Sequence, residues 1–202
     1  TVAQLIAAKL GYHYLDSGAL YRIVALAAHQ EEISWDEENN IAELAPRLDI
    51  RFKDGEIFLG GQNISDDIRT ELMGQGASQV AAHPKVRAAL TNLQHSFRKA
   101  PGLVADGRDM ATVIFPNAHA KIFLTASAET RADRRYQQII KKGITADYEA
   151  ILKDLQERDT RDRQRSVAPL QQAKDATLLD TSHLNIEQAV NRALEIIQSQ
   201  KQ

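Results

Sequence analysis

Apolar residues recur along this chain at two spacings, and the switches between them outline the elements. Val2, Leu5, Ile6 and Leu10 fall on one face of a first helix that Gly11 stops. Residues 12–15 read as a short strand ending in Asp16-Ser17-Gly18, and a helical run over 19–30 follows. A polar stretch, 31–40, leads to a helix ending near Arg47. Residues 49–53 alternate apolar and polar, meet Asp54-Gly55, and continue into a second short run over 56–59. An Asp-Gly between two such runs predicts a hairpin, so 49–67 reads as a small antiparallel unit.

Helices resume near Thr70. Pro84 suits a first helical turn, and Val86, Leu90, Leu93 and Phe97 then repeat at helical spacing until Pro101-Gly102. Residues 103–105 form a strand that opens onto Asp106-Gly107-Arg108-Asp109. Residues 121–125 form another strand, and Ser127 caps a helix that stops at Gly143. Asp147 caps a long helix, 176–180 is the last strand, and Asn185 with Gln188 opens the final helix as a capping box. Strands alternating with helices predict an α/β fold: a parallel sheet with helices on both faces, its ligands beyond the carboxyl ends of the strands.

The long helix carries an unusual stripe. Tyr148, Ile151, Leu152 and Leu155 share a sector, and Arg158, Asp162 and Arg165 fall in the same sector further on. A helix turns its apolar stripe toward the core, so these charges are expected to point inward. Two Asp between Arg158 and Arg165 cannot neutralise four Arg. An unpaired inward guanidinium is costly, which points to an anionic ligand, and arginine suits phosphate.

With 202 residues the chain can bury a full core without staples, and it has no Cys, which excludes disulfides and thiolate metal sites. A formal net charge of −2 gives no electrostatic footprint for nucleic acid, so any phosphate site is a local basic pocket. The longest apolar run, 23–28, is too short to span a bilayer, and without a visible signal peptide the expected location is cytoplasmic. The six His show no metal-ligand spacing.

Four stretches could carry chemistry. Asp16 to Arg22 places a strand end at a helix start, where free N–H groups favour an anion. Asp106 to Asp109 puts Arg108 and Asp109 at the mouth of the sheet. Arg131, Arg134 and Arg135 lie near one helix face, and 158–165 is the fourth stretch. Each alone also fits a structural role: an N-cap, a turn ion pair, a solvated helix, a salt-bridged helix. Together, many arginines and no covalent nucleophile match phosphoryl transfer, which is positioning and charge neutralisation.

The motifs Leu15 to Arg22, Asp67 to Thr70, Ala77 to Ala82, Ala105 to Met110 and Glu157 to Arg163 together resemble the bacterial cytidylate kinases, nucleoside monophosphate kinases of the P-loop class, over nearly the whole chain. The resemblance implies ATP-dependent phosphorylation of CMP and dCMP with Mg²⁺, by a monomer that binds neither nucleic acid nor membrane. It implies that Ser17, Tyr21, Arg22 and Arg108 hold the CMP phosphate and its surroundings, and that Ser78, Arg87 and Asp109 read cytosine. Arg158, Asp162 and Arg165 would serve the sugar and the reacting phosphates, with Arg22, Arg108, Arg158 and Arg165 as the catalytic charges. Arg131, Arg134 and Arg135 would belong to a helical lid over ATP.

The base reading has its own rationale. Cytosine offers an N4 amino donor where uracil offers an acceptor, so the Asp109 carboxylate selects for it, while Ser78 and Arg87 can donate to N3 and O2. The resemblance divides the chain into core (1–39, 80–130, 166–202), a small antiparallel monophosphate-binding insert (40–79) and the lid region (131–165). It also implies a departure. The family's central first strand and Gly-rich phosphate loop are missing here, and Thr1 falls where the loop's final Thr would meet Mg²⁺ and ATP. About 15 to 20 preceding residues are expected in the natural protein, and this chain by itself is expected to be inactive or nearly so. The alternatives are a non-catalytic nucleotide-binding regulator, or a kinase for another monophosphate such as UMP or AMP.

Overall fold

Side-chain caps set five of the eight α-helix starts. The computed structural model describes residues 1–53 and 55–200; Asp54 of the expected hairpin turn lies outside the described residues. In chain order the elements are α1 (Val2–Leu10), β1 (His13–Asp16), α2 (Ser17–Gln30), α3 (Glu38–Leu44), β2 (Ile50–Lys53), β3 (Glu56–Leu59), β4 (Gln62–Asn63), α4 (Glu71–Val80), α5 (Pro84–Ser96), β5 (Leu103–Asp106), β6 (Ile122–Thr125), α6 (Ala128–Lys141), α7 (Tyr148–Gln164), β7 (Thr177–Asp180) and α8 (Ile186–Ser199). Short 3-10 turns cover Ala45–Arg47 and Asp67–Arg69, and a π-turn covers Met110–Ile114.

Asp16, Thr70, Ser127 and Asp147 each accept a backbone N–H at a helix start. Asn185 and Gln188 close the full capping box on α8. Gly143 adopts a φ of +75° just past α6, a conformation that costs glycine nothing.

The chain divides into two compact units. In the unit Leu10–Arg108, β1 and β5 pair in parallel, with His13 beside Leu103 and Asp16 beside Asp106. The apolar run of α2 is buried on nearly every side, as expected for a helix hydrophobic all round. β2, β3 and β4 form the antiparallel unit expected within 49–67, with Lys53 paired with Glu56. The third strand goes beyond the predicted hairpin, because two residues are too few to show a period.

Residue 96 ends α5, five residues before Pro101, and the fully buried position in its last turn is Gln94 rather than Leu93 or Phe97. The apolar spacing favours Leu93 and Phe97 there; a hydrogen bond to Ser17 draws the glutamine inward instead.

In the unit of Thr1–Lys9 and Asp109–Gln202, β6 and β7 pair in parallel, Thr125 beside Asp180. Ala189, Val190, Ala193 and Ile196 form the buried face of α8. The fold is therefore mixed α/β with parallel pairing. Its parallel strands form two separate two-stranded ladders rather than one continuous sheet. No described helix is long and apolar enough to cross a membrane.

Candidate active site

In the unit Leu10–Arg108, β1 delivers Asp16 to the start of α2, and the Asp16 carboxylate accepts the Ala19 N–H at 2.9 Å. Ser17 begins the helix, and Tyr21 and Arg22 come one turn later. Ser17 is 3% exposed and its hydroxyl donates to Gln94 Oε1 at 2.7 Å. Tyr21 is buried beneath Arg87, whose guanidinium carbon lies 5.6 Å from the ring centroid. Arg87 is itself 7% exposed and donates to the Ala81 carbonyl at 3.1 Å. The structure thus brings together three of the predicted residues, Ser17, Tyr21 and Arg87, along the facing sides of α2 and α5.

Gln94 is a fourth member that sequence reasoning missed. It is fully enclosed, and among the described residues its amide nitrogen has no hydrogen-bond partner. A buried donor left unmade costs about 1–3 kcal/mol. Its sequence signal is weak: a glutamine near the end of a polar helix reads as surface.

Arg22 does something the sequence does not show. Its Nη1 donates to the carbonyls of Ile68 at 2.8 Å and Thr70 at 3.1 Å, which ties α2 to the turn leading into α4. Gly74 gives this guanidinium room, since a Cβ there would lie 3.1 Å from Nη2. Ser78 is half-buried on α4.

At the strand ends, Asp16 and Asp106 face each other in register, and Arg108 lies just beyond on an exposed segment. Asp106 keeps an exposed edge, yet its pKa is raised. Protein crowding around the carboxyl is the first cause and the Asp16 carboxylate the second, with Arg108 pulling the other way. Tyr14, half-buried beside both carboxylates, is raised as well, first by burial and then by their charges.

In the other unit, the inward stripe of α7 is present as expected. Tyr148, Ile151, Leu152, Leu155, Arg158 and Arg165 are half-buried, and Asp162 is 7% exposed. Arg161 and Arg163 turn to solvent, so only two of the four arginines are drawn inward: Arg158 on the helix face and Arg165 as the extended residue that caps its C-terminus. Arg158 Nε approaches Asp162 at 4.0 Å. The Asp162 carbonyl accepts the Leu170 N–H at 2.7 Å, and Arg165 Nε donates to the Ala168 carbonyl at 2.6 Å. Ala168 sits at a φ of +48°, a strained conformation for alanine. The segment after α7 is therefore folded back onto the two charged residues that end the stripe.

The arginines of α6 divide their work. Arg131 makes a two-pronged pair with Asp159 of α7, one contact at 2.9 Å, and donates to the Ala126 carbonyl. Arg134 donates to the carbonyls of Thr181 at 2.6 Å and Leu184 at 3.1 Å. Arg135 is exposed, and no hydrogen bond or ion pair to it occurs among the described residues. Asp109, 3% exposed, stands at the head of the π-turn, and its carbonyl accepts from Val113 and Ile114. Thr1 is exposed at the start of α1.

Hydroxyl and acidic groups at a parallel strand end and half-buried arginines suit phosphorylated ligands, and comparisons with known proteins supply the class: the nucleoside monophosphate kinases. The family model for cytidylate kinase matches residues 1–199. The cytidylate kinase of Polynucleobacter necessarius is 56% identical over 195 residues, covering 96% of this chain and 91% of that protein. Those of Cupriavidus pinatubonensis and Chromobacterium violaceum are each 54% identical over 195 residues, covering 96% of this chain and 88% of theirs. The chain belongs to the cytidylate kinase family.

Proposed function

We propose that this protein transfers the γ-phosphoryl group of ATP to CMP and dCMP, giving ADP with CDP or dCDP. The transfer runs in line, without a covalent intermediate. The observation that carries this reading is the α7 stripe: Arg158 and Arg165 are drawn toward the interior beside buried Asp162, where two fixed cations can neutralise phosphoryl charge.

Ser17, Tyr21, Arg22 and Arg108 serve the acceptor phosphate. Ser78, Arg87 and Asp109 serve the base. The Tyr21 ring beneath the Arg87 guanidinium and the Ala81 carbonyl beside it support its use as an oriented donor. Arg158, Asp162 and Arg165 serve the sugar and the reacting phosphates. Of the lid arginines, Arg131 and Arg134 brace α6 against its surroundings, and Arg135 is the one best presented to the ATP phosphates. The insert 40–79 and the region 131–165 are the parts that close over the nucleotides and exclude water.

Thr1 is the proposed protein ligand for Mg²⁺. A hard cation of this kind is held by one or two protein oxygens together with nucleotide phosphates. Thr1 would hold the ion beside the donor phosphates, where it would supply positive charge to offset theirs. A cytoplasmic monomer is the matching cellular picture.

A coupled ADP-release assay on the natural protein, with CMP, dCMP, UMP and AMP as acceptors, tests the proposal. CMP and dCMP should dominate, and Asp109→Ala should narrow the preference for CMP over UMP by about tenfold or more, the worth of one good polar contact to a base. Equal use of UMP or AMP by the parent, or no turnover with any acceptor, would reject it.

A further inference from the structure

Four buried polar side chains lie between α2 and α5: Ser17 and Tyr21 one turn apart on α2, Arg87 and Gln94 two turns apart on α5. Three have work in the proposed reaction. Gln94 has none, yet it is the most enclosed of the four, and a Leu or Met would fill its place without stranding an amide. What it touches is the hydroxyl of Ser17, the first residue of α2, where helix N–H groups already favour an anion.

As the amide stands, Oε1 accepts the Ser17 proton, so that proton is turned away from any phosphate. A turned amide reverses the roles. Nε2 then donates to Ser17 Oγ, and the hydroxyl proton becomes available to an outside acceptor.

We propose that Gln94 is a positioning residue for the acceptor phosphate, acting through Ser17. Its Oε1 accepts the hydrogen bond of the Ser17 hydroxyl while the site is open, and its amide turns to donate to Oγ when the monophosphate arrives. This rests on the reading of Ser17 as a phosphate contact. A glutamine suits the task because its two ends are one acceptor and one donor of nearly the same shape. A methionine can do neither, and a glutamate can donate only when protonated.

The test is a steady-state cycle on the natural protein with Gln94→Met, Gln94→Glu, Ser17→Ala and the double variant Ser17→Ala/Gln94→Met. Gln94→Met should raise KM for CMP about tenfold, the loss of one charge-assisted hydrogen bond, with KM for ATP within about twofold of the parent. On the Ser17→Ala background the same change should add nothing. The Gln94→Glu variant should show a KM for CMP, taken relative to the parent at each pH, that improves as pH falls and its carboxyl regains a donor.

A Gln94→Met effect that persists in full on the Ser17→Ala background, or that raises both KM values alike, overturns the proposal. If Gln94→Met does not fold, a flat relative pH profile for Gln94→Glu overturns it instead. Ser17→Ala with an unchanged KM for CMP overturns the underlying phosphate contact. Ser17→Ala impaired beside an unaffected Gln94→Met overturns only the role of Gln94.

Discussion

Asp106 shows how a single residue can oppose the fold that holds it. Its carboxyl is crowded by protein and faces Asp16 across the β1–β5 ladder, so it binds its proton more tightly folded than unfolded. For a carboxylic acid with a raised pKa, the folded chain carries the extra proton between the ordinary and the raised values. The stability due to Asp106 is therefore greatest in acid and falls as pH rises through the raised pKa. Asp106→Asn should melt above the parent at neutral pH, and the gap should close as pH approaches about 4, the ordinary aspartate value. Melting scans across that range check it; a variant less stable than the parent at pH 7 would contradict the sign. Asp175 works the other way. The hydrogen bond from Lys121 lowers its pKa, so what it contributes is lost as pH falls. Chemistry of this kind is only half legible in the sequence. Asp16 and Asp106 can each be placed at a strand end, but their pairing is a matter of register, which no local spacing encodes. Gln94 is not legible, because only a partner 77 positions away makes its burial worthwhile.

Helices in this chain carry information in their gaps as well as their side chains. Gly74 and Gly76 lie inside α4 and do not follow a strand, so they form no dinucleotide loop. Their use is steric. Gly74 leaves space for the Arg22 guanidinium, and a Cβ on Gly76 would come within 2.6 Å of the Trp35 ring, which is itself tied to α2 by a 3.0 Å bond to the Ala25 carbonyl. Gly76→Ala should therefore cost about 1–3 kcal/mol through overpacking, even though alanine favours helix. Urea unfolding should show a lower midpoint with an unchanged slope; an equal or higher midpoint would mean that Trp35 yields freely. The α7 stripe is the contrary case. Periodicity alone predicts which of its faces turns inward as far as Asp162, because a single helix obeys one period throughout; Arg165 caps the helix in extended conformation, and the Ala168 carbonyl in the following segment holds it. What the period cannot supply is the pairing of Asp159 with Arg131, since that depends on α6 lying alongside.

For the whole molecule, capping residues, turn signals and the two hydrophobic periods suffice to find α/β alternation, the antiparallel unit and most helix starts. They do not reveal that the parallel strands form two ladders, because pairing between distant strands leaves no mark on either. Nor do they reveal the wide turn at Met110–Ile114. There the Asp109 carbonyl takes N–H groups four and five residues on, at 2.9 and 3.2 Å, and the Met110 carbonyl takes that of Phe115. Such a turn holds one residue more than an α-turn needs. This part of the chain is thus constrained by its length as well as by its letters. Removing Ala111 would take away no group with a proposed role, yet it would let the turn tighten and swing Asp109 by about 100° relative to Phe115 and the chain beyond. The shortened enzyme should keep its circular dichroism spectrum and lose its discrimination between CMP and UMP, so that one missing alanine mimics the loss of an aspartate it never touches.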